Sequence, residues 1–494
     1  MDAQPIGDLS LPVGVSKRLS HMMGNVEGGS NAEYTSPIFG VLPDEEIFSA
    51  IESILDVYEL TPTLREIENS NRDKFGPRSV AKPWVSRKED LHEYFEHSQL
   101  ADEEFARIWT KLDSGGGLGN GRLRPSTVAS AVSDLIASSN SGLPYLSRKG
   151  EVRERIESDA VADRGVYPCV LFTRTQERGK TRNIWGYPSA DTVWEQQFFR
   201  PWLAVEKMQS CRAALHGPDA VDAGVTALLS SKRSDETLYC VDFEAFDSSV
   251  RPELATAAFK EISDWYQRNF RGEVAELAFR FLTIPIVTPE GIWSGTHGVP
   301  SGSSWTNTID SLVQLEASGH PRELCQVQGD DGCYLISAQG TKDLEDSFAR
   351  NGLKLNEEKS HVSPEEAVYL QRYYHPNYPS VDYDRRLGGV YSLYRAAHRI
   401  KYLERWTDFE AVGISGDDYF SLRTVMILEN CKHHPGHREM VQFVQRSDQN
   451  GLRFNRSSIP AFSKAEEGRS RARASWDIGK IDTWRTLRIL REAW

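Results

Sequence analysis

The chain has 494 residues, and its 58 lysines and arginines against 71 aspartates and glutamates give a formal net charge of −13. This acidic balance argues against a simple basic protein that coats nucleic acid, so any nucleic-acid path must be a local basic lining inside an acidic shell. At about 150 residues per domain, the length predicts roughly three subdomains. The six cysteines are widely spaced without a Cys-x-x-Cys pair, which excludes a disulfide framework or zinc ribbon and favours a reducing, intracellular location.

The N-terminal part of the chain changes character near residue 43. Met1 to Pro43 is rich in Gly, Ser, Pro and Asn without clear periodicity, which predicts an irregular arm that lies on the surface of the rest of the protein. From Asp44 to Leu135, charged and apolar residues alternate at helical spacing, and the loop Ser138–Pro144 ends this pattern. We expect no membrane partner, because no apolar run approaches the length that spans a bilayer.

A basic segment follows. Residues 172–184 gather four cations within nine positions, namely Arg174, Arg178, Lys180 and Arg182. On a strand, Lys180 and Arg182 would lie on one face, an arrangement suited to a triphosphate. In isolation, a solvated charged hairpin is the better interpretation of this segment.

The first acidic motif directly follows an apolar segment. A strand from Tyr239 to Phe243 presents alternate side chains on opposite faces, so Asp242 leaves its sheet on one face. Asp247 follows five residues later. Because Asp242 lies at the end of a buried strand, we expect its carboxylate to project from the sheet in a fixed direction.

The second acidic motif is Gly329-Asp330-Asp331-Gly332, which predicts a tight turn between strands Cys325–Gln328 and Cys333–Ser337. Two adjacent strand ends that carry carboxylates can hold two metal ions roughly 4 Å apart and align an in-line phosphoryl transfer. The sequence therefore predicts a Mg²⁺ site and nucleotidyl transfer.

A loop rich in glycine and serine lies between the two motifs. It runs from Gly298 to Asp310, after a predicted hairpin of Ile284–Val287 and Ile292–Ser294 and into a predicted helix Ser304–Ala317. Small residues let backbone pass close to a nucleotide, and hydroxyl groups can bond a ribose. An ordinary glycine-containing loop that caps a helix is the alternative.

A second Gly-Asp-Asp copy at Gly416–Asp418 shows that the tripeptide alone is weak evidence. Ser415 precedes it and a helical apolar run follows, so we interpret it as a structural helix start with acidic residues in its first turn.

Helical periodicity continues from Leu387 to the end of the chain. In this region Cys431, His433, His434 and His437 could indicate zinc, but one short helical stretch cannot hold four tetrahedral ligands, and we interpret it as a solvated helix end.

Together, and in this order, these segments resemble the viral RNA-dependent RNA polymerases over about Ser139 to Tyr374. Asp242 and Asp247 resemble motif A, and Asp330 with Asp331 resembles motif C. The loop with Ser301, Gly302 and Thr306 resembles motif B, and the basic segment through Arg182 resembles motif F. Residues 351–360 resemble motif D, 369–373 the primer-grip motif E, and 139–145 motif G, which guides template. The loop ending in Asp310 is more similar to the picobirnaviruses and partitiviruses, small double-stranded RNA viruses, than to the picornaviruses.

The resemblance implies an α+β fold, a right hand of fingers, palm and thumb, with an antiparallel palm sheet flanked by helices and closed by an N-terminal extension. We expect residues 1–80 to form this extension, which bridges fingers and thumb. Residues 81–235 would form the fingers, and 236–380 the palm with a fingers insertion at about 265–298. Residues 381–494 would form the thumb and a C-terminal segment.

The resemblance also implies residue roles. Asp242, Asp330 and Asp331 would hold Mg²⁺ or Mn²⁺, and Lys359 would protonate the departing pyrophosphate. Nucleotide binding would fall to Arg174, Lys180, Arg182, Asp247, Ser301, Gly302, Thr306 and Asp310. Template and primer would meet Ser141, Gly142, Pro144 and Arg372. The implied partners are template and product RNA, ribonucleoside triphosphates and a viral capsid protein, in the virion interior and the host cytoplasm.

Two other classes of protein share part of this pattern. A reverse transcriptase or DNA polymerase would use the same carboxylates, but a bulky residue is expected where Asp247 stands, whereas an acidic side chain can accept a hydrogen bond from a ribose 2′-hydroxyl. A non-enzymatic viral RNA-binding or capsid-associated protein would carry the acidic runs merely on its surface. The intact carboxylates in both motifs favour the polymerase.

Overall fold

The computed structural model describes residues 3–96, 100–113, 120–409, 413–470 and 476–492. Within these ranges, the strands are β1 (Tyr34–Thr35), β2 (Cys169–Thr175), β3 (Thr181–Gly186), β4 (Glu236–Val241), β5 (Ile286–Thr288), β6 (Gly291–Trp293), β7 (Cys325–Gln328), β8 (Asp331–Ser337), β9 (His361–Ser363), β10 (Ala367–Tyr369), β11 (Arg372–Tyr374) and β12 (Tyr402–Leu403). No helix in these ranges is long and apolar enough to cross a membrane.

The helices of the same ranges lie mainly before, between and after these strands. They are α1 (Val13–Gly28), α2 (Asp44–Leu55), α3 (Pro62–Arg72), α4 (Lys88–His92), α5 (Asp102–Asp113), α6 (Val128–Ser133), α7 (Arg153–Asp159), α8 (Ser189–Glu206), α9 (Pro218–Ser231), α10 (Phe246–Ser249), α11 (Pro252–Trp265), α12 (Arg271–Thr283), α13 (Thr306–Ser318), α14 (Gly340–Arg350), α15 (Leu393–Lys401), α16 (Gly416–Glu429), α17 (His437–Ser447), α18 (Ile459–Ser470) and α19 (Arg485–Arg491).

A four-stranded antiparallel sheet lies at the centre, in the order β7-β8-β4-β9. Its two faces are both covered, because successive side chains of a strand point to opposite sides. Leu238 and Cys240 of β4 pack with α9 on one face. Tyr239 and Val241 pack with α11 and α13 on the other. The antiparallel sheet flanked by helices that the sequence predicted is therefore confirmed.

A second four-stranded sheet, in the order β3-β2-β5-β6, carries the basic segment. It is mixed, because β2 pairs antiparallel with β3 but parallel with β5. The predicted hairpin after Ile284 is confirmed as β5 and β6. This sheet packs against α1 through Val15, Leu19 and Met23. The expectation of an arm without periodicity was thus wrong for residues 13–28, which form a 16-residue helix held by those apolar side chains.

The helices after residue 387 form a third core together with the N-terminal helices α2 and α3. Ile47 and Ile51 of α2 lie in one apolar cluster with residues of α15, α16, α17 and α19. The buried carboxylate of Glu68 in α3 accepts hydrogen bonds from the Ser392 hydroxyl at 2.7 Å and from the amides of Leu393 and Tyr394 at 2.9 and 3.2 Å. It thus caps the N-terminus of α15, one of the C-terminal helices. The first 80 residues accordingly contact both the mixed sheet and the C-terminal helices, while the domain boundaries themselves stay a prediction.

Candidate active site

The two acidic motifs meet at one end of the central sheet. Val241 of β4 is paired with Gly332 of β8, so Asp242 leaves its strand beside the turn that joins β7 and β8. That turn has two residues, Gly329 and Asp330, because Gln328 is paired with Asp331. Gly329 has a φ of +68°, in the left-handed region that glycine adopts without strain. The predicted hairpin with its carboxylates at the tip is therefore confirmed.

The carboxylates at this end of the sheet influence one another electrostatically. The enclosure of Asp330 within the site raises the pKa of its carboxyl, and the negative charge of Asp242 adds to that effect. Burial raises the pKa of Asp331 to about 8, and the negative charges of Asp330 and Asp242 contribute to this shift. Oxygen donors with this excess of negative charge suit a hard divalent cation, which would replace the missing solvation and favour the ionised forms.

Positive side chains lie opposite the aspartates. Lys359 Nζ is 3.6 Å from Asp242 Oδ2. Burial lowers the pKa of Lys180, and the nearby charges of Arg182 and Lys359 lower it further. The structure thus places cations beside the carboxylates, and such cations suit the binding of phosphate groups.

The basic hairpin does not hold all its cations in the same way. Arg174 and Arg182 are directly paired across β2 and β3 and therefore share a face of the sheet. Arg182 Nε donates to Gln176 Oε1 at 2.9 Å, whereas Arg174 Nε lies 3.8 Å from Glu404 Oε2. Lys180 immediately precedes β3. The structure thus brings Arg182 and Lys180 toward the aspartates and turns Arg174 toward a glutamate that follows β12.

The glycine- and serine-rich loop contacts the first acidic motif. The Ser301 hydroxyl donates a hydrogen bond to Asp247 Oδ2. Burial raises the pKa of Asp247 to about 6, although the Ser301 hydrogen bond opposes that shift. A Cβ atom at Gly302 would lie 1.9 Å from the Trp185 carbonyl oxygen, so only glycine allows this close approach. The Thr306 hydroxyl closes the loop by donating to the Pro300 carbonyl at 2.9 Å.

Asp310 lies deeper in the same region. Its side chain is buried, and Oδ1 has no hydrogen-bond partner among the residues that the structure describes. Burial raises the pKa of its carboxyl well above the usual value, and the charges of Asp247 and Asp330 raise it further. Asp310 therefore lies close enough to both acidic motifs to be affected by their charges.

The template and primer residues are positioned by contacts within the protein. Ser141 is buried, and its hydroxyl accepts a hydrogen bond from the Ser147 amide at 3.2 Å. A Cβ atom at Gly142 would lie 2.1 Å from the Tyr187 carbonyl oxygen, and Pro144 is half-buried in the same loop. The Arg372 guanidinium is buried and donates to the Gly389 and Asn430 carbonyls at 3.1 and 3.2 Å. Contact of these residues with RNA stays a prediction.

A buried arginine that the sequence did not single out supports the catalytic turn. Arg212 donates to the Val327 carbonyl at 2.7 Å and to Asn307 Oδ1 at 2.9 Å, and it forms an ion pair with Glu206 Oε1 at 2.8 Å. It also donates to the hydroxyl of Ser311, which accepts the amide hydrogen of Gly329 at 2.7 Å. Arg212 thus ties α13 to β7, the strand that leads into the turn with Asp330. Its partners in α13 and β7 are about 100 positions distant in the chain, so no local pattern could have identified these contacts.

The segment after α16 is not the solvated helix end that the sequence predicted. Cys431, His433, His434 and His437 are all buried. They are covered by other regions of the chain. His433 Nε2 lies 3.2 Å from Asp222 of α9, His434 Nε2 lies 3.2 Å from Glu68 of α3, and His437 Nε2 lies 3.1 Å from the Thr486 hydroxyl of α19. The helix end is therefore buried and not solvated. The four residues contact different partners, so they do not form a zinc site of their own.

Asp219, Asp222 and His433 form a group whose possible ligand atoms all lie within 4.8 Å of one another. A cation already lies beside the group, because Lys432 Nζ is 2.8 Å from Asp219 and 2.6 Å from Asp382. His433 Nδ1 also accepts the Val381 amide hydrogen at 3.2 Å, which leaves the proton on Nε2, facing Asp222. We interpret this group as an ion-pair network between α9 and the C-terminal helices.

The second Gly-Asp-Asp copy has the predicted structural setting. Ser415 caps α16 by accepting the Asp418 amide hydrogen at 3.2 Å. The Asp418 carboxylate accepts hydrogen bonds from the Asn455 amide at 2.8 Å and from the Ser458 hydroxyl at 2.5 Å. This copy starts a helix and holds the chain that precedes α18.

Comparison with known proteins agrees with this geometry. The family model for viral RNA-dependent RNA polymerases matches residues 124–384. A potential RNA-dependent RNA polymerase of a human picobirnavirus (strain Human/Thailand/Hy005102/-) is 30% identical over 476 residues, which cover 89% of this chain and 86% of the relative. An RNA-directed RNA polymerase of Cryptosporidium parvum virus 1 is 28% identical over 215 residues, 40% of each chain.

The overall fold also has solved counterparts. The crystal structure of the RNA-dependent RNA polymerase of a human picobirnavirus superposes with a TM-score of 0.79 over 100% of both chains at 24% identity. A variant of a human picobirnavirus polymerase that lacks its insertion loop gives a TM-score of 0.76 over 97% of both chains at 26% identity. The fold is thus the right hand of a template-directed polymerase.

The chain belongs to the viral RNA-dependent RNA polymerases, and it is an enzyme of that class. Its likeness to the picobirnavirus polymerases, which the loop ending in Asp310 indicated, is confirmed. The reverse transcriptase and the non-enzymatic RNA-binding protein are set aside as alternatives.

Proposed function

We propose that the enzyme replicates and transcribes a viral RNA genome by two-metal nucleotidyl transfer, with Asp242 and Asp330 as the principal metal ligands and Asp331 assisting. The observation that carries this proposal is the meeting of two carboxylate-bearing strand ends directly opposite Lys180, Arg182 and Lys359. When bound, two Mg²⁺ or Mn²⁺ ions would activate the primer 3′-hydroxyl and neutralise charge on the α-phosphate.

The chain's own residues would select and hold the nucleotide. Asp247, oriented by the Ser301 hydroxyl, would accept a hydrogen bond from the ribose 2′-hydroxyl. Asp310 lies close enough to Asp247 to be affected by its charge and would contribute to the same nucleotide site. Gly302 and Thr306 keep the loop backbone close to this point.

The phosphate groups would meet the basic side of the site. Arg182 and Lys180 would hold the triphosphate, and Arg174 would join them when it leaves Glu404. Lys359 is largely exposed and lies beside Asp242, so its ammonium can reach the departing pyrophosphate and donate a proton to it.

The remaining partners follow from the same activity. The template would pass the loop with Ser141, Gly142 and Pro144, and Arg372 would support the hairpin of β10 and β11 beneath the primer end. We propose template and product RNA, ribonucleoside triphosphates and a viral capsid protein as partners. The proposed location is the virion interior and the host cytoplasm.

A primer-free synthesis assay on defined templates tests the proposed function. The purified enzyme is incubated with single-stranded or double-stranded RNA, the four ribonucleotides, and Mg²⁺, Mn²⁺ or a chelator. We expect labelled RNA complementary to the template with either metal and none with the chelator. Template-dependent synthesis that persists in the chelator, or DNA synthesis from deoxynucleotides at an equal rate, would contradict the proposal.

A further inference from the structure

The loop that presents Ser301 is held from two sides. On one side, the Ser301 hydroxyl bonds to Asp247, and the Trp185 amide donates to the Ser301 carbonyl at 3.2 Å. On the other side, the Ser303 hydroxyl and the Ser304 amide donate to the two carboxylate oxygens of Glu195, at 2.6 and 2.7 Å. Glu195 lies in α8, more than 100 positions earlier in the chain.

Glu195 is a carboxylate in a buried position. Its side chain is only 3% exposed, and both of its hydrogen-bond donors are neutral groups. Burial raises the pKa of its carboxyl to about 7, against the effect of these two hydrogen bonds. Burial of a carboxylate costs desolvation free energy, and hydrogen bonds from neutral donors offset this cost only in part. Such a residue is expected where function requires a fixed geometry.

The adjacent residue of α8 holds the same segment. Gln196 Nε2 donates to the Ser304 hydroxyl at 2.8 Å, and the Ser303 hydroxyl also accepts the Trp305 amide hydrogen at 3.0 Å. Ser303 and Ser304 are therefore fixed in a stretch of the loop that precedes α13. A shift of this stretch would move Ser301 and Gly302, which are two positions away along the chain.

We propose that Glu195 is a positioning residue for nucleotide binding, which fixes the loop 300–305 so that Ser301 orients Asp247 toward the ribose. This role rests on the proposed function of Asp247 and Ser301. Glu195 does not touch the substrate and acts through Ser303 and Ser304. Its loss therefore weakens nucleotide binding more than it slows the chemical step.

Steady-state incorporation of single ribonucleotides by variants of the full chain tests this inference. Glu195→Ala removes both hydrogen bonds, so we expect the KM for each ribonucleotide to rise about tenfold while kcat stays within about threefold of the wild type. Glu195→Gln can accept from the Ser304 amide and donate to the Ser303 hydroxyl, so its KM should stay within about threefold of the wild type. Rescue by glutamine distinguishes the hydrogen bonds from the charge.

Two further variants keep the test decisive. Gln197→Ala is the matched control, because Gln197 lies on the same helix but donates to the Ser126 carbonyl at 2.9 Å, away from the loop; its KM should equal that of the wild type. If Glu195→Ala does not fold, Ser303→Ala removes the hydroxyl that donates to Glu195 and accepts from the Trp305 amide, and it should raise KM about threefold. A folded Glu195→Ala or Ser303→Ala variant with wild-type KM, or a Glu195→Gln variant as impaired as Glu195→Ala, would overturn the inference.

Failure of this inference differs from failure of the proposed function. The proposed function fails if Asp330→Ala still synthesises RNA at the wild-type rate. The inference about Glu195 fails alone if Asp330→Ala is inactive while the KM of Glu195→Ala is unchanged.

Discussion

The two Gly-Asp-Asp tripeptides carry the same three residues in opposite settings. At Gly416–Asp418 the carboxylate of Asp418 is used by the protein itself, since it accepts hydrogen bonds from Asn455 and Ser458. At Gly329–Asp331 the carboxyls lie among other negative groups, and burial and mutual repulsion raise their pKa values. A carboxylate whose hydrogen bonds are satisfied stabilises the fold, whereas a cluster left with excess charge is available for an external cation.

The strongest test of this comparison removes a carboxylate at the first copy. Asp330→Ala or Asp242→Ala should lower the rate of nucleotide addition on the order of a thousandfold or more, because each forfeits several kcal/mol of transition-state stabilisation. The rate of RNA synthesis at matched Mg²⁺ measures the effect, and an unchanged circular dichroism spectrum confirms the fold. Comparable activity in either variant would refute the assignment of the metal ligands.

A second test addresses sugar selection beside the first copy. Asp247→Ala should lose discrimination between ribonucleotides and deoxyribonucleotides by on the order of a hundredfold, because a site built to pair a hydroxyl penalises its absence. The ratio of kcat/KM for the two substrates measures this loss. An unchanged ratio would remove Asp247 from the sugar site.

A third test addresses the cations that face the first copy. Arg182→Ala should raise the KM for all four ribonucleotides about tenfold, because a charge-assisted contact with the triphosphate is lost. Arg72→Ala is a matched control, since Arg72 pairs with Glu52 at 3.3 Å in the N-terminal helices. A KM for Arg182→Ala equal to that of the control would argue against its role.

The smallest effect on synthesis is expected at the second copy. Replacement of both Asp417 and Asp418 by Asn should leave the elongation rate within about twofold and lower the free energy of unfolding by about 1–2 kcal/mol, because Asn replaces a charged acceptor by a neutral one. Thermal unfolding and the elongation assay together measure these effects. The matched change Asp330→Asn should show the reverse, with stability kept and synthesis lost. An inactive but folded double variant would mean that the two copies had been assigned the wrong way round.

The elements around the two copies could be predicted because their signals are local. The hairpin of β7 and β8, the helix α13 and the Ser415 cap each follow from the pattern of adjacent residues. The helix α1 was missed because glycines at positions 14, 24 and 28 lower its helix propensity. Its apolar residues Val15, Leu19, Met23 and Val26 nevertheless follow helical spacing, which is the signal that would have identified it.

The contacts that could not be predicted join distant parts of the chain. Arg212 reaches α13 and β7, and His433 and His434 meet carboxylates more than 200 and 300 positions earlier. No periodicity records such pairs, because a buried ion pair depends on where two segments meet in space. Sequence patterns thus predicted the strands and the turn that bring the acidic motifs together, but not the buried polar residues that hold them in place.

The cap that Glu68 provides for α15 can form only after both segments have been synthesised. The carboxylate bonds to an amide 325 positions later in the chain. On a ribosome that adds roughly 5–20 residues per second, that amide is made about 15–65 seconds after Glu68. Until then, the apolar face of α2 has no C-terminal helices to pack against. This core is therefore completed only after α19 has been synthesised.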